Sequence, residues 1–409
     1  MAVAQGLYKQ TVFAKQSGLG TPATTGGRIM RRTNSKFDLM RDTYESNEIV
    51  SHQQSTGANA GIVKTSGKID FLMSPLTQSL LFASLLRKDF VAGFTAITGA
   101  SITVGAASGG LNNITRASGS WLTDGVKVGD VVRFTAGSMA AGNLNNNILV
   151  VSITSATVFV GKVLSGTALT AEGPVASVTV TFQGKKTYVP LTGHTKDYWT
   201  VEECYTDLAK YEQFTDCGIS KADISIPATG NATVSFDVPG LNRTRSTSAT
   251  VVSPTAETTT NVLTAVNGAV IVNGAVTTIT GATITIDGHI SPGEAEVGSN
   301  TIGDLIRGEV SVSGNFTAKF SATTLQDIYD NQTLVSLVLA ITDGSSKTAD
   351  FVTITLPQIK LFSDGADDGE AKEIIRTYAF TAQIPSTTVG GTSLQHFQTI
   401  CQIVDSQAA

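Results

Sequence analysis

The residues best equipped for chemistry in this chain are few and scattered. His52, His194, His289 and His396 lie far apart, and none has a second ligand at metal-site spacing. Surface or interface positions are expected for them. The acidic run from Asp364 to Glu370 (DGADDGE) invites a calcium reading. Counted from Asp364, however, its third position is Ala366 and its twelfth is Ile375, which departs from the calcium-loop pattern. A solvated turn between strands fits better. Cys204 and Cys217 share no motif with a histidine, so they read as small buried side chains. Glu202 and Glu203 are adjacent, and neighbours on a strand point to opposite faces, so the pair cannot share a substrate. The chain has no Walker motif, Gly-x-Ser-x-Gly elbow or His-Glu-x-x-His, and Gly18-x-Gly20 precedes no predicted helix. Neither catalysis nor a cofactor nor a metal is expected.

Charge is the next candidate for function. The chain carries −5 overall, too little to make it a general nucleic-acid binder. Residues 1–68 hold nine bases against four acids, so this part is +5 and the remainder −10. Arg28, Arg31, Arg32 and Lys36 form a basic cluster with no interleaved aromatics, unlike a single-strand binding platform. A basic arm docking on an acidic neighbour of the same kind suits this asymmetry; two differently solvated faces are the plainer reading. Arg28, Arg31, Arg32, Lys36, Glu45 and Glu48 are therefore the candidate contacts between subunits.

The elements that position these residues are short strands. Of 409 residues 41% are hydrophobic and 15% charged, with 40 Gly, and Thr, Ser, Val and Ala abound while long helical stretches do not. Such a length allows two or three domains with ample core. Three cysteines without CxxC spacing suggest reduced thiols. Met1 to Lys15 has no apolar signal core, and no run of about 18 apolar residues occurs. Synthesis in a cytoplasm, without membrane insertion, is the expectation.

An internal duplication organises the chain. Phe37-Asp38-Leu39 and Ile284-Thr285-Ile286 are alternating segments 247 positions apart, and at the same offset Gly61, Ser66 and Gly67 match Gly308, Ser313 and Gly314. Helical segments follow at Leu76–Leu86 and Thr324–Asn331. Trp199 to Asp207 (WTVEECYTD) resembles Val335 to Asp343 (VSLVLAITD) at an offset of 136, and each precedes two more strand segments. The difference in offset puts about 111 extra residues inside the first copy. The expected organisation is a first domain at 1–96 plus 187–240, an inserted domain at 97–186, a connector at 241–280, and a second domain at 281–409. An insert needs its ends close together, which a β-sandwich or small barrel supplies; this one, rich in turn signals, reads as a small β-sandwich of Ig-like type, with strands expected at Asn113–Arg116, Val131–Thr135, Ile148–Ile153, Thr157–Val160 and Ala176–Phe182. A hairpin is expected around Asn267-Gly268 and Asn273-Gly274.

These segments resemble the major tail tube proteins of long, flexible-tailed bacteriophages. RRTNSKFDLMRDTYESNEIV and GIVKTSGKIDFLMSPLTQSLLFASLL look like that family's opening strand pair and helix. VGSNTIGDLIRGEVSVSGNFTAKFSATTLQDIYDNQ, followed by ITLPQIKLFSDG, looks like a second copy, and ITRASGSWLTDGVKVGDVVRFTAG like a small β domain often added to such proteins. The resemblance implies a mainly β fold: two tandem β-sandwich or barrel domains, each with a flanking helix, and the inserted domain on the outside. It implies rings stacked into a tube around a tape-measure protein, with terminator and tip proteins at the ends and genomic DNA passing through without specific binding. Two tube domains per chain would let three chains close a pseudo-sixfold ring; a hexamer of single-domain chains is the alternative. A lumen poor in basic side chains is expected, because each bound phosphate adds affinity.

Two other classes compete. A β-rich surface adhesin or fibre that binds glycan shares the composition, but lacks a reason for the duplicated helix-bearing unit. A glycan hydrolase needs two carboxylates about 5–10 Å apart across a cleft, and the sequence nominates no such pair.

Overall fold

The computed structural model describes residues 3–52, 54, 57–320, 323–367, 373–386 and 395–408. The chain is mainly β, with two short α-helices, α1 (Ser79–Leu86) and α2 (Thr324–Asp330), among the described residues. No helix there is long and apolar enough to cross a membrane.

Strands are numbered in chain order. A five-stranded sheet runs β16 (Asn242–Ser246), β13 (Lys210–Cys217), β12 (Trp199–Tyr205), β1 (Lys9–Lys15) and β2 (Arg28–Ile29). A larger sheet begins at β18 (Ala275–Val276), β17 (Gly268–Val272), β23 (Val335–Thr342) and β24 (Phe351–Leu361). It continues through β26 (Ile375–Ala382), β22 (Ser311–Lys319) and β19 (Ile279–Asp287). It ends with β14 (Lys221–Pro227), β15 (Thr233–Asp237), β4 (Ala58–Leu72) and β3 (Asn34–Glu45). Off this path, β27 (Gln402–Asp405) pairs with β24 and with β11 (Lys185–Tyr188), and β25 (Gly365–Asp367) pairs with β26. A closed barrel follows the order β10 (Glu172–Phe182), β5 (Ile97–Val104), β6 (Asn112–Arg116), β9 (Val158–Val163), β8 (Ile148–Ile153) and β7 (Val131–Ala136). A ribbon of β20 (Ile290–Pro292) and β21 (Leu305–Arg307) stands apart.

Strand pairing in the two halves follows one scheme. Phe37 pairs with Gly67, and Ile284 with Gly314, both partners shifted by 247. Val12 pairs with Glu202 and with Ile29; Ile271 pairs with Val338 and with Val276. Packing fixes both glycines: a Cβ on Gly67 would lie 2.2 Å from the Phe37 ring, and one on Gly314 2.1 Å from the Thr283 carbonyl. Alternation directs Phe13, Phe37, Phe71, Trp199, Phe214 and Phe236 into one core that continues to Phe316, Tyr378 and Phe380 in the later half. Phe13 meets Trp199 edge-on at 6.2 Å, and Phe316 stacks on Tyr378 at 5.4 Å.

Helix α1 starts later than the sequence suggests. Leu76 adopts φ 67°, and its N–H binds Asp405 Oδ2 at 2.8 Å, so the chain turns before it coils. Arg87 ends the helix in left-handed conformation, and its guanidinium donates to the carbonyls of Gly288 (2.7 Å) and Gly308 (2.6 Å). Of the segment expected as a connector, both ends lie in sheets: β16 pairs with β13, and β17 with β23. Asn273-Gly274 makes the tight turn of a hairpin, both residues at positive φ. Asn267-Gly268 instead leads from a 3-10 turn into β17.

The inserted unit corrects one expectation. It is a closed six-stranded barrel rather than an Ig-like sandwich, because β10 pairs with β5 on one side and β7 on the other, with register shifts that let it bend. The closing strand β5 is the one missed in the sequence, its ITGASITV alternating only weakly. Pairing of Val180 with Ile97 brings the two ends of the insert together. The barrel emerges from the earlier half yet docks on the later one. Its core, around Trp121, Phe134 and Phe159, is continuous with Ile271, Val338, Ala340, Phe351 and Val404 on β17, β23, β24 and β27.

A buried ion pair reinforces this dock. Lys186 Nζ lies 3.1 Å from Asp130 Oδ1, and Gln402 Nε2 donates to the same oxygen at 3.2 Å. Removing one partner of such a pair strands the other charge in a dry site, so Asp130→Ala should lower stability by about 3–5 kcal/mol in urea unfolding. Asp130→Leu combined with Lys186→Met should recover most of that loss. A wild-type midpoint for Asp130→Ala would mean that the pair does not hold the dock.

Candidate functional site

The groups that could do chemistry are occupied structurally. Glu202 and Glu203 do take opposite faces of β12. Glu202 accepts the N–H groups of Thr250 (2.7 Å) and Val251 (3.3 Å), which pins the chain segment after β16. Glu203 pairs with Lys9 at 2.7 Å and accepts from Ser35 at 3.0 Å. All three cysteines are buried and free. Burial, helped by Glu202, pushes the Cys204 thiol up to about 12; burial alone puts Cys401 at about 12, and burial with Asp216 alongside raises Cys217 as well. Such thiols carry almost no nucleophilic thiolate at neutral pH. Burial, with Lys127 nearby, holds His396 down to about 4, so its ring is neutral. Asp364 binds Arg376 at 2.6 Å, while Asp368 to Glu370 lie outside the described residues. No group of three or more His, Cys, Asp or Glu converges on a metal-sized site among the described residues.

The six candidate contact residues divide into two sets. The arginines bind within their own chain: Arg28 to the Leu76 carbonyl (3.4 Å), Arg31 to the Thr260 carbonyl (2.7 Å) and Ser74 Oγ (2.6 Å), and Arg32 to the Lys9 carbonyl (2.5 Å) and Ser35 Oγ (3.1 Å). They tie β2 and the residues just after it to the turn before α1, to β1 and β3, and through Arg31 to the segment after β16. Lys36 is exposed and pairs with Asp38 at 3.1 Å. Glu45 and Glu48 are exposed around the end of the β3–β4 hairpin, about ten residues from Lys36 along the chain, where Ser46 donates to Glu48 at 3.2 Å. The structure does not bring the arginines and these two glutamates together.

What the fold does assemble is a polar sheet face with two open edges. Along β14 and β15, buried residues alternate with half-buried or exposed ones, so Lys221, Asp223, Ser225, Ser235 and Asp237 share the side away from the core. On β19 and β22 the same side carries Thr283, Thr285, Asp287, Ser313 and Asn315. Four of its lysines have acidic neighbours: Lys221 with Asp223 at 2.9 Å, Lys64 with Asp42 at 3.4 Å, Lys319 with Glu373 at 2.5 Å, and Lys68 opposite Asp237 in register; Lys360, level with Thr381 and Ser313, has none among the described residues. The face is therefore one of paired charges and hydroxyls. In its middle β14 and β19 join through seven residue pairs, Lys221 with Asp287 to Pro227 with Gly281. The path of the sheet ends at β3 and, beyond β24, at β18; beside the polar face β25 pairs only with β26, so the run from the end of β24 through β25 leaves an open edge there as β3 does at the other side.

A family model for phage tail tube proteins matches residues 5–382. The chain belongs to that family. No curated protein matches it. The family is structural rather than enzymatic, and membership gives the chain a place in the virion tail, among copies of itself and other tail proteins. Sequence reasoning found the strands of the polar face but not its paired charges: Lys68 with Asp237 and Lys319 with Glu373 join segments distant in the chain, while Lys221 with Asp223 and Lys64 with Asp42 meet on one strand and within one hairpin.

One buried acid should make stability depend on pH. Asp405 accepts the N–H groups of Leu76 (2.8 Å) and Gln407 (2.9 Å), yet burial raises it to about 6. A carboxyl raised on folding favours the native state below its unfolded pKa, and the advantage is lost as pH rises through about 6. The melting temperature of Asp405→Asn, relative to the parent, should therefore climb between pH 4 and 7. A flat difference across that range would refute the assignment.

Proposed function

We propose that the chain is the repeating unit of the tail tube, assembling into stacked rings that conduct DNA to the host. The observation that carries this reading is the β14–β19 joint. It fuses two similarly wired units edge to edge and leaves an open strand at each side of the polar face. Open edges invite pairing with further copies, and closing a ring removes them. Each unit comprises a four-stranded inner layer, β3-β4-β15-β14 in one and β19-β22-β26 with the β24–β25 run in the other, under an outer layer. In this reading the units are two tail tube domains, three chains complete a ring of six, and the barrel decorates the outside.

The polar face lines the lumen, around a tape-measure protein during assembly and around DNA during ejection. Its charges support this role differently from a plain surplus of acid. A lysine already held by a carboxylate offers a passing phosphate little net attraction, and hydroxyls offer only neutral contacts. The exposed members of the candidate set, Lys36, Glu45 and Glu48, lie where a neighbouring copy can reach them. Terminator and tip proteins would cap the stack, and assembly would take place in the host cytoplasm.

Electron microscopy of the purified protein tests the proposal. Rings or tubes with a central hole are expected, and a symmetry-resolved map should contain three chains per ring. Six chains around the axis would overturn the trimer, and a persistently monomeric protein would overturn the tube assignment.

A further inference from the structure

From the internal joint we infer the residue register of the joint between chains; this rests on the ring reading above and deepens it. The pairing scheme of the two halves supplies the arithmetic. β3 and β4 map onto β19 and β22 with an offset of 247. β13 and β14 map onto β24 and β25 with an offset of 142, because Trp199 pairs with Cys217 as Val335 pairs with Ile359, and Asp223 with Ser235 as Gly365 with Thr377. Carrying the internal pairs Lys221–Asp287 and Asp223–Thr285 across these offsets gives two external pairs. Ser363 of one copy lies opposite Met40 of the next, and Gly365 lies opposite Asp38.

The two edges suit each other chemically. Phe362 is 58% exposed on one and Met40 46% exposed on the other, which leaves apolar surface uncovered at both. The same register sets Phe362 opposite Arg41, a cation over whose partner ring a favourable contact can form. Gly365 has open space where a Cβ would stand, so its edge admits the Asp38 side chain of an incoming strand. Helix α1 shows how such a joint is sealed: Arg87 crosses the internal one to the carbonyls of Gly288 and Gly308. Shifted by 247, those carbonyls become Arg41 and Gly61 of the next copy. Helix α2, which buries none of its residues fully, stands ready on the later half.

Paired cysteines test the register. Within one chain β3 and β25 are separated by six intervening strands, roughly 30 Å along the sheet, so a bridge between them must join two chains. Asp38→Cys with Gly365→Cys is in register; Met40→Cys with Gly365→Cys is displaced by two residues, beyond disulfide reach. Both are oxidised after microscopy establishes that the reduced proteins form rings like the parent. Should either fail to assemble, Met40→Cys with Ser363→Cys and Asp38→Cys with Ser363→Cys replace them as the in-register and displaced pairs. The in-register pair should cross-link at least about fivefold more than the displaced pair, giving covalent dimers and trimers. Equal or reversed yields in intact rings would overturn the register and leave the ring reading standing. A parent protein that forms no rings would overturn both.

Discussion

A seven-pair backbone ladder between β14 and β19 is the contact on which the rest of the architecture depends. It is antiparallel and continuous, and it lies on the polar side of a core that does not break where one half gives way to the other. Because side chains alternate along both strands, the ladder keeps every hydroxyl and paired charge on one face across the junction. A slip by one residue would turn that face into the core. The constraint is therefore on register, and in two further ladders of the same sheet Gly67 packs under Phe37 and Gly314 against Thr283.

Much of this was legible before the structure. The offset of 247 appeared through glycines, which tolerate no side chain where a ring or a carbonyl presses on the strand. The strands expected at Ile148–Ile153, Ala222–Ile226 and Asn315–Phe320 announced themselves by alternation or by apolar runs, and the structure has them at Ile148–Ile153, Lys221–Pro227 and Ser311–Lys319. The edge of the insert did not, because β5 is built of small residues whose membership in a barrel is decided by its neighbours. The docking of that barrel on the later half was also hidden: Phe351 and Val404 look like ordinary core residues, and nothing local says whose core. The arginines were read as an arm reaching outward. Within the chain their donors meet the carbonyls of Leu76 and Thr260, partners that only the tertiary fold brings within range.

The polar groups follow a division of labour set by burial. In the interior, Glu202, Glu203 and Asp130 each have several partners and act as fasteners between segments. On the open face, Lys221 and Asp223 or Lys64 and Asp42 meet in solvent, where such pairs add little stability. Their effect is on the potential that a passing polyanion meets.

The barrel's attachment has a consequence for the order of synthesis. It is complete at Phe182, but its seat draws on β17, β23, β24 and β27, which are all made after it. Until β27 is made, the barrel's docking surface is left partly wet. The barrel's arrival on the later half adds a second fastening to the β14–β19 joint, so a chain cut before β27 would keep that joint and lose part of the barrel's seat.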